Sequence, residues 1–348
     1  VLLIGGTYWF FYTKEARTPI SEGINAIPID AAIIFESKHS KNTWKKLSQT
    51  NIMWEELLGT QTISKINRKG ITIDSILQTA PEISSLLDNH SVFISIHSLE
   101  KNNFDLLYVY SLPNLTYKST IEDYFKEKIH SIKIPLLTGE FEGELINTIA
   151  TSKSVKIHFS VAQGILILSC NEQLVKNSIH QLKSGISLVN DINFSTIIRT
   201  AGENADANVY INYKKLADLT APNIISPSEK TIESFSNFAD CSSWDISIKP
   251  NALMLSGFTS AIDSNKSFLS LFIKQKPQET EVIKIIPSSA SAFLFLGMSD
   301  VKSYREDYKK YLKSKNRTSE NNDYIFNLNK KYAFDIENLM LSWMDNEM

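Results

Sequence analysis

The chain has 348 residues, of which 43% are hydrophobic, 21% charged and 10% aromatic, and this composition excludes a disordered or collagen-like protein. The length suits two or three domains, or one large domain. The formal net charge is −2, from 36 basic and 38 acidic residues, so the chain lacks the positive surplus that binds nucleic acid. The two cysteines are too few for a disulfide framework or a cysteine-rich metal site.

The chain begins with an uncharged apolar run that closes in an aromatic cluster, Tyr8–Tyr12, and is followed by Lys14 and Arg17. A membrane span needs about 20 apolar residues, and aromatic residues favour the membrane interface. We therefore predict that residues 1–13 are the C-terminal part of a membrane anchor and that residues 14–26 are a linker. The alternatives are a buried segment of a soluble domain and a cleaved signal peptide, although no small-residue cleavage site follows the run.

The next segment, Ala31–Phe35, has the composition of a buried strand. Helices are predicted over 44–58, where apolar residues recur at helical spacing, over 61–69 with an end at Gly70, and over 72–88. Trp44 and Trp54 lie on the apolar face of the first helix, and we interpret them as core residues rather than a ligand cage.

A unit of strand, turn, strand and helix then recurs three times. The alternation of apolar and polar residues over 155–161 indicates a strand with one buried face and one solvent-exposed face. A further strand is predicted at 208–213 and a helix at 227–238. The three units comprise strands 92–97 and 106–110 with helix 120–129, strands 155–161 and 165–170 with helix 172–183, and strands 244–249 and 252–258 with helix 268–273.

Short turns between consecutive strands favour antiparallel pairing, and helices that follow hairpins cover one face of such a sheet. The predicted fold class is therefore α+β, with antiparallel sheets and helices on one face.

A longer repeat is also visible, because Ala26–Phe35 resembles Ile285–Phe295 and each segment precedes a Lys-rich aromatic stretch. This pattern predicts a first α+β domain over 27–283 and the start of a second, truncated repeat over 284–348. Chance similarity of two buried strands is the alternative.

Several of these segments resemble a bacterial family of unknown function, the domain of unknown function 3352, which is common in Bacteroidota. The resemblance covers nearly the whole chain. It implies a membrane-anchored envelope protein and brings no known activity and no catalytic residues. The segments that carry it are 1–13, 27–36, 44–58, 206–212, 253–259, 286–287 and 334–336.

Local catalytic signatures, such as a phosphate-binding glycine loop or a zinc-binding histidine pair, do not occur in the sequence. The catalytic residues are therefore unknown, and no cofactor is predicted. The six histidines are interpreted as solvated surface residues, with His158 on the polar side of its strand and His180 on the polar side of its helix.

The best acidic cluster is Glu140, Glu142 and Glu144. In an extended segment, these alternate residues would point to one side and could hold Ca²⁺ with other oxygen ligands. A solvated hairpin edge explains them equally, so they are a weak metal candidate only. Cys170 and Cys241 are interpreted as two buried or free thiols, and a bridge between them in an oxidising compartment is the alternative.

Together these observations predict a non-enzymatic binding or assembly module of the bacterial envelope. It would be anchored in a membrane, face the periplasmic side and bind a protein partner, with no nucleic acid. One alternative is a carrier of a lipid or small apolar ligand, because sheets covered by amphipathic helices can open a cleft. The other is a hydrolase of envelope polymers that lacks local motifs.

Overall fold

The computed structural model describes residues 22–78, 90–99, 103–112, 127, 136–150, 155–220, 234–261, 267–279, 284–290, 295–315, 318–336 and 339. They form two compact units. The first contains the described residues up to Ser236 together with Cys241–Ser260, and the second contains Asn237–Asp240 and those from Ala261 onward.

The first unit is built on one antiparallel sheet, whose ten described strands run in the order β10-β9-β8-β1-β2-β3-β7-β6-β5-β4, so that β10 and β4 are its edges. The strands are β1 Ile33–Ser37, β2 Val92–Leu99, β3 Asn103–Ser111, β4 Leu136–Phe141, β5 Glu144–Ala150, β6 Lys156–Ala162, β7 Ile165–Ser169, β8 Ala207–Asn212, β9 Cys241–Lys249 and β10 Ala252–Ser260.

The described helices of this unit connect or follow the strands. They are α1 Ser40–Lys45, α2 Met53–Leu58, α3 Gln61–Gln78, α4 Glu172–Ser184, α5 Ile192–Ile198 and α6 Tyr213–Thr220. A π-helical segment, Lys46–Thr50, continues α1, and short 3₁₀ helices lie at Glu22–Ala26 and Leu188–Asn190.

The central strands are buried on both faces. In β3, Leu107 and Val109 belong to one hydrophobic cluster, whereas Leu106 and Tyr108 belong to another. Successive side chains of a strand point to opposite faces, so the two clusters lie on opposite faces of the sheet. We call them the first face and the second face.

Helices pack on both faces. Helices α4 and α5 contribute side chains to the cluster of the first face, while Ile66 of α3 and Leu219 of α6 pack against that of the second. The predicted antiparallel α+β class is confirmed, but the prediction of helices on one face is wrong. Consecutive apolar residues, as in Ile165–Leu168 of β7, require cover on both sides.

The hairpin β6–β7 and helix α4 show how local chemistry sets the elements. The turn residues Gln163 and Gly164 both have positive φ, which suits a two-residue hairpin. Asn171 caps α4 by accepting a hydrogen bond from the Gln173 backbone N–H, and Gly185, at φ 69°, ends the helix in the left-handed conformation. These boundaries agree with the predicted helix 172–183.

The three predicted hairpins are confirmed, and the following other features differ from the predictions. Helix α3 continues through Gly70 rather than ending there. Strand β6 is buried on both faces and not on one. The hairpin β4–β5 was not predicted as a strand pair, and the third unit's helix is the short 3₁₀ helix Phe268–Phe272.

Predicted helix 120–129 lies outside the described residues except for residue 127, and helix 227–238 lies outside them up to residue 233. The membrane-anchor segment 1–13 and the first part of the linker also lie outside them. None of the described helices is both long enough and apolar enough to span a membrane.

The second unit contains the 3₁₀ helix Phe268–Phe272, helix α7 Val301–Ser314 and helix α8 Thr318–Tyr332. Asp300 caps α7 by accepting a hydrogen bond from the Ser303 backbone N–H, and aromatic rings of α7 pack against those of the 3₁₀ helix. The start of a second repeat at residue 284 stays a prediction.

Truncating a side chain in the doubly buried centre should destabilise the first unit strongly. Ile167 of β7 is fully buried, and Ile167→Ala should lower the free energy of unfolding by about 2–5 kcal/mol, because a cavity adds to the lost burial. Urea unfolding would measure the change. The exposed edge residue Leu137 is the control, and Leu137→Ala should change the free energy of unfolding by about 0.5 kcal/mol or less. Equal effects of the two substitutions would contradict the assignment of the core.

Candidate functional site

A chain of three polar side chains crosses the first face between β1 and β2. The Asp30 carboxylate lies 3.0 Å from Nδ1 of His97, and Nε2 of His97 lies 2.8 Å from the Ser95 hydroxyl oxygen. A carboxylate can only accept, so Nδ1–H donates to Asp30, and in the neutral imidazole Nε2 then accepts from Ser95. The order of contacts, Asp–His–Ser, is the one that nucleophilic hydrolases use.

Strand register brings these residues together. Ser95 and His97 are two positions apart on β2 and therefore share a face. Asp30 enters from the turn before β1, where the Ala31 N–H donates to Pro28 O and the Ala32 N–H donates to Ile96 O. Because Asp30 and His97 are 67 positions apart, sequence spacing could not reveal their contact.

The burial of this chain opposes a catalytic role. The side chains of Ser95 and His97 are completely buried, and only Asp30 reaches solvent. A nucleophile must contact its substrate, and the Ser95 hydroxyl cannot do so in this conformation. The interpretation of His97 as a solvated histidine is wrong, because β2 carries it into the interior, where Asp30 and Ser95 satisfy both ring nitrogens. The contacts satisfy buried polar groups in the way that a stable interior requires.

A second buried polar pair lies on the adjacent strands β1 and β8. The Tyr210 hydroxyl of β8 donates to Oε2 of Glu36 in β1 at 2.7 Å, and both residues are buried. Burial raises the pKa of the Glu36 carboxyl, and the opposing hydrogen bond from Tyr210 does not cancel that effect. The pKa of Asp30 moves in the opposite direction: partial burial raises it, but the interactions with His97, a backbone hydrogen bond and the charge of Lys215 together outweigh burial and lower it.

The three glutamates of the acidic cluster are separated by a chain reversal. Glu142 and Gly143 form the turn between β4 and β5, with φ values of 50° and 77°, so the extended segment assumed from the sequence does not exist. Glu142 accepts from Nδ1 of His180 at 2.7 Å, and Glu144 lies 3.7 Å from the Lys183 ammonium. Across the described residues, no three His, Cys, Asp or Glu side chains form a group that could hold a metal ion.

Glu140 lines a different place, an open groove of about 280 Å³ between the β4 edge and the start of α4. His158 of β6 also lines it and is buried, which corrects its interpretation as a solvated histidine. Burial lowers the pKa of His158, although the Glu172 carboxylate at 4.0 Å opposes this shift. Lys176 pairs with Glu172 at 2.7 Å, so part of the groove's charge is already balanced within it.

Neither cysteine forms a disulfide bond. Cys241 belongs to the cluster of the first face and Cys170 packs against that of the second, so the sheet separates them. Burial raises the pKa of Cys170 to about 11, which keeps the thiol protonated and unreactive at neutral pH.

The aromatic pair on α1 and α2 is not part of the core. Trp44 is exposed and its ring meets that of Trp54 edge to face, with 5.3 Å between centroids. The segment is held instead by polar contacts to Asp206, whose carboxylate binds Lys46 at 2.5 Å and whose carbonyl accepts from Thr43. The interpretation of Trp44 as a core residue is wrong, because polar contacts dock this helix and leave its aromatic side open.

The largest group of exposed apolar side chains on the described sheet lies on its edge strand β10. Met254, Leu255 and Phe258 are 51%, 55% and 62% exposed. The nine residues Ala252–Ser260 include no charged side chain and no proline. Strand β9 pairs with one side of β10, and the described residues provide no strand on the other. We call this open side the β10 edge. Sequence reasoning missed it because the apolar residues of β10 are equally typical of an interior strand, and only strand order makes β10 an edge.

These features define an antiparallel α+β protein whose sheet has a hydrophobic core on each face. Its hydrogen-bonded polar side chains lie within that core, and a group of apolar side chains is exposed along the β10 edge. The family model described as "Protein of unknown function (DUF3352)" matches residues 1–348, so the chain belongs to this family. No curated protein and no solved structure matches it.

Removing the Asp30 charge should change the acid dependence of stability. The lowered folded-state pKa means that Asp30 contributes stability above its unfolded pKa of about 4, and that this stability is lost as pH falls through the folded value. We expect Asp30→Asn to have a lower free energy of unfolding than the wild type at pH 7, and this difference should become smaller toward pH ~3. Urea unfolding at a series of pH values would measure the difference. A difference that does not depend on pH would contradict the pairing with His97.

Glu36 should change the pH dependence of stability in the opposite direction to Asp30, and it serves as the matched comparison. Its raised pKa means that stability is fully present below the unfolded value of about 4.3 and is lost as pH rises through the folded value. The neutral variant Glu36→Gln keeps an acceptor for Tyr210 and avoids the charge. Relative to wild type, it should therefore gain stability between pH ~4 and pH ~7 in the same measurement. A relative loss over that range would contradict burial as the dominant effect.

Proposed function

We propose that the protein is a membrane-tethered, extracytoplasmic binding or assembly module of the bacterial envelope, and that the β10 edge is its docking surface. The observation that carries the proposal is the open, uncharged edge strand with its three exposed apolar side chains.

An open edge strand presents unpaired backbone N–H and C=O groups that accept another strand. Soluble proteins usually guard such edges with charges, prolines or short length. Strand β10 has none of these protective features, because it is nine residues long and contains no charged residue and no proline. Strand addition supplies affinity through backbone hydrogen bonds and specificity through alternate side chains. An unguarded edge of this length therefore supports a binding role.

The opposite edge provides an internal comparison. Strand β4 is shorter, at six residues, and it carries Glu140 next to the acidic turn at Glu142. A charged side chain on an edge opposes the approach of a neutral strand. Two edges of the same sheet thus differ in the property that controls strand addition, and only β10 favours it.

The two alternative functions have less support. The hydrolase alternative needs an accessible nucleophile, whereas the Asp30–His97–Ser95 chain places its hydroxyl in the interior. The carrier alternative needs a cleft between the sheet and its helices, whereas apolar side chains fill both faces of the described sheet. The tether rests on the apolar, aromatic-ended run at residues 1–13, and the surface it would orient is the β10 edge.

Site-specific crosslinking in cells would test both parts of the proposal. A photoreactive residue in place of Leu255, in the full-length tagged protein with its natural start, should give discrete crosslinked species in the membrane fraction. The same residue at Leu137, which is 64% exposed on β4, is the matched control and should give few or none. Phe258→Glu in the Leu255-labelled chain should remove the species, because a charge opposes strand addition.

Two results would overturn parts of the proposal separately. Equal crosslinking from both edges, or none from β10, would remove the β10 edge as the docking surface. Recovery of the uncrosslinked protein in the soluble fraction would remove the membrane tether.

A further inference from the structure

We propose that the β10 edge pairs with the β10 edge of a second copy of this chain, antiparallel and with a two-fold axis at Ser256. This inference rests on the proposed function, since it names the partner of the same docking surface. It turns two sheets into one continuous sheet across the axis.

The charge pattern favours a second copy. In a two-fold strand pair, a residue near the axis meets its own equivalent or a close neighbour, so a charged residue near the axis would face a like charge. Strand β10 has no charged residue between Ala252 and Ser260, so self-pairing brings no repulsion. On the β4 edge, a two-fold pairing with its axis near Glu140 would bring the two copies of this carboxylate close together. Self-association is therefore open to one edge of the sheet and opposed at the other.

The side-chain pattern selects the register. With Ser256 opposite its equivalent, Met254 lies opposite Phe258 of the second copy, and the symmetric contact repeats on the other side of the axis. Met254 and Phe258 are four positions apart and point to the same face. Two apolar cross-strand pairs thus form on one face from residues that are each more than half exposed in the single chain.

The opposite side of the pair is also compatible with this register. There Leu255 lies opposite Gly257 of the second copy. A Cβ at Gly257 would lie 1.9 Å from the Ser243 carbonyl oxygen, so the approach of β9 requires glycine at this position. Gly257 therefore presents no side chain opposite Leu255. The register therefore places the exposed leucine against the smallest residue of the strand.

The pairing can be tested by a charge swap in the full chain. Met254→Lys or Phe258→Glu alone places a charge opposite an apolar side chain in both halves of the dimer. Each should raise the dimer dissociation constant about tenfold or more. The double variant places the introduced lysine opposite the introduced glutamate of the second copy, twice. It should return the dissociation constant to within about tenfold of wild type.

Sedimentation velocity over a range of protein concentrations would measure these constants, and Leu137→Lys on β4 is the charge control that should leave dimerisation unchanged. Because the substituted residues are exposed, each variant should retain its fold, which thermal unfolding would verify. A monomeric wild type at all concentrations, or a double variant no better than either single variant, would overturn the proposed pairing.

A cysteine at the axis gives a second, independent measurement. In the proposed register, Ser256→Cys faces its equivalent at the Cα separation of a directly opposed pair, about 4.5–5.5 Å, which suits a disulfide. Mild oxidation should convert this variant to a covalent dimer, whereas Leu137→Cys should stay monomeric. Without that covalent dimer the register is wrong.

The outcome also separates this inference from the proposed function. If the crosslinked species from Leu255 contain a different protein and the wild type is monomeric, the second copy is excluded and the docking surface stands. If Leu255 gives no crosslinks at all, the proposed function fails with it.

Discussion

Burial of the central strands on both faces is the constraint on which the rest of this structure depends. Strands β3 and β7 present apolar side chains at consecutive positions, so each face needs its own helical layer. Helices α4 and α5 provide one layer, and α3 and α6 contribute to the other. Any polar side chain that these strands carry inward must find a partner there, because an unpaired buried group is costly.

The Asp30–His97–Ser95 chain and the Glu36–Tyr210 pair are consequences of that constraint. Both lie on the first face, near the middle of the sheet, where β1 pairs with β2 on one side and β8 on the other. Their hydrogen bonds satisfy groups that water cannot reach. The Asp–His–Ser series of hydrogen bonds, which resembles that of a hydrolase site, is here part of the protein interior. Burial of the Ser95 hydroxyl is what favours a structural role over a catalytic one.

Burial declines toward the two edges of the sheet, and the edges differ. On β4, one large apolar side chain, Leu137, is exposed together with Glu140 beside an acidic turn, whereas on β10 three large apolar side chains are exposed and no residue is charged. A charged edge such as β4 opposes the addition of another strand, whereas an uncharged apolar edge such as β10 favours it. The asymmetry gives the sheet one direction in which it can extend, and the functional proposal follows from that direction.

Sequence patterns alone determined the fold class, the hairpins at β2–β3, β6–β7 and β9–β10 and the helix over 172–183, because short-range periodicity, turn residues and capping act within a few positions. Three things depended on the tertiary structure. Two-sided burial was hidden because alternation in 155–161 gives no sign of a helix that covers the polar side. The Glu140–Glu144 cluster was misinterpreted because positive φ at Glu142 reverses the chain. The contact of Asp30 with His97 and the position of β10 at an edge arise from strand order and register, which link residues far apart in the chain, and no local spacing encodes such pairings.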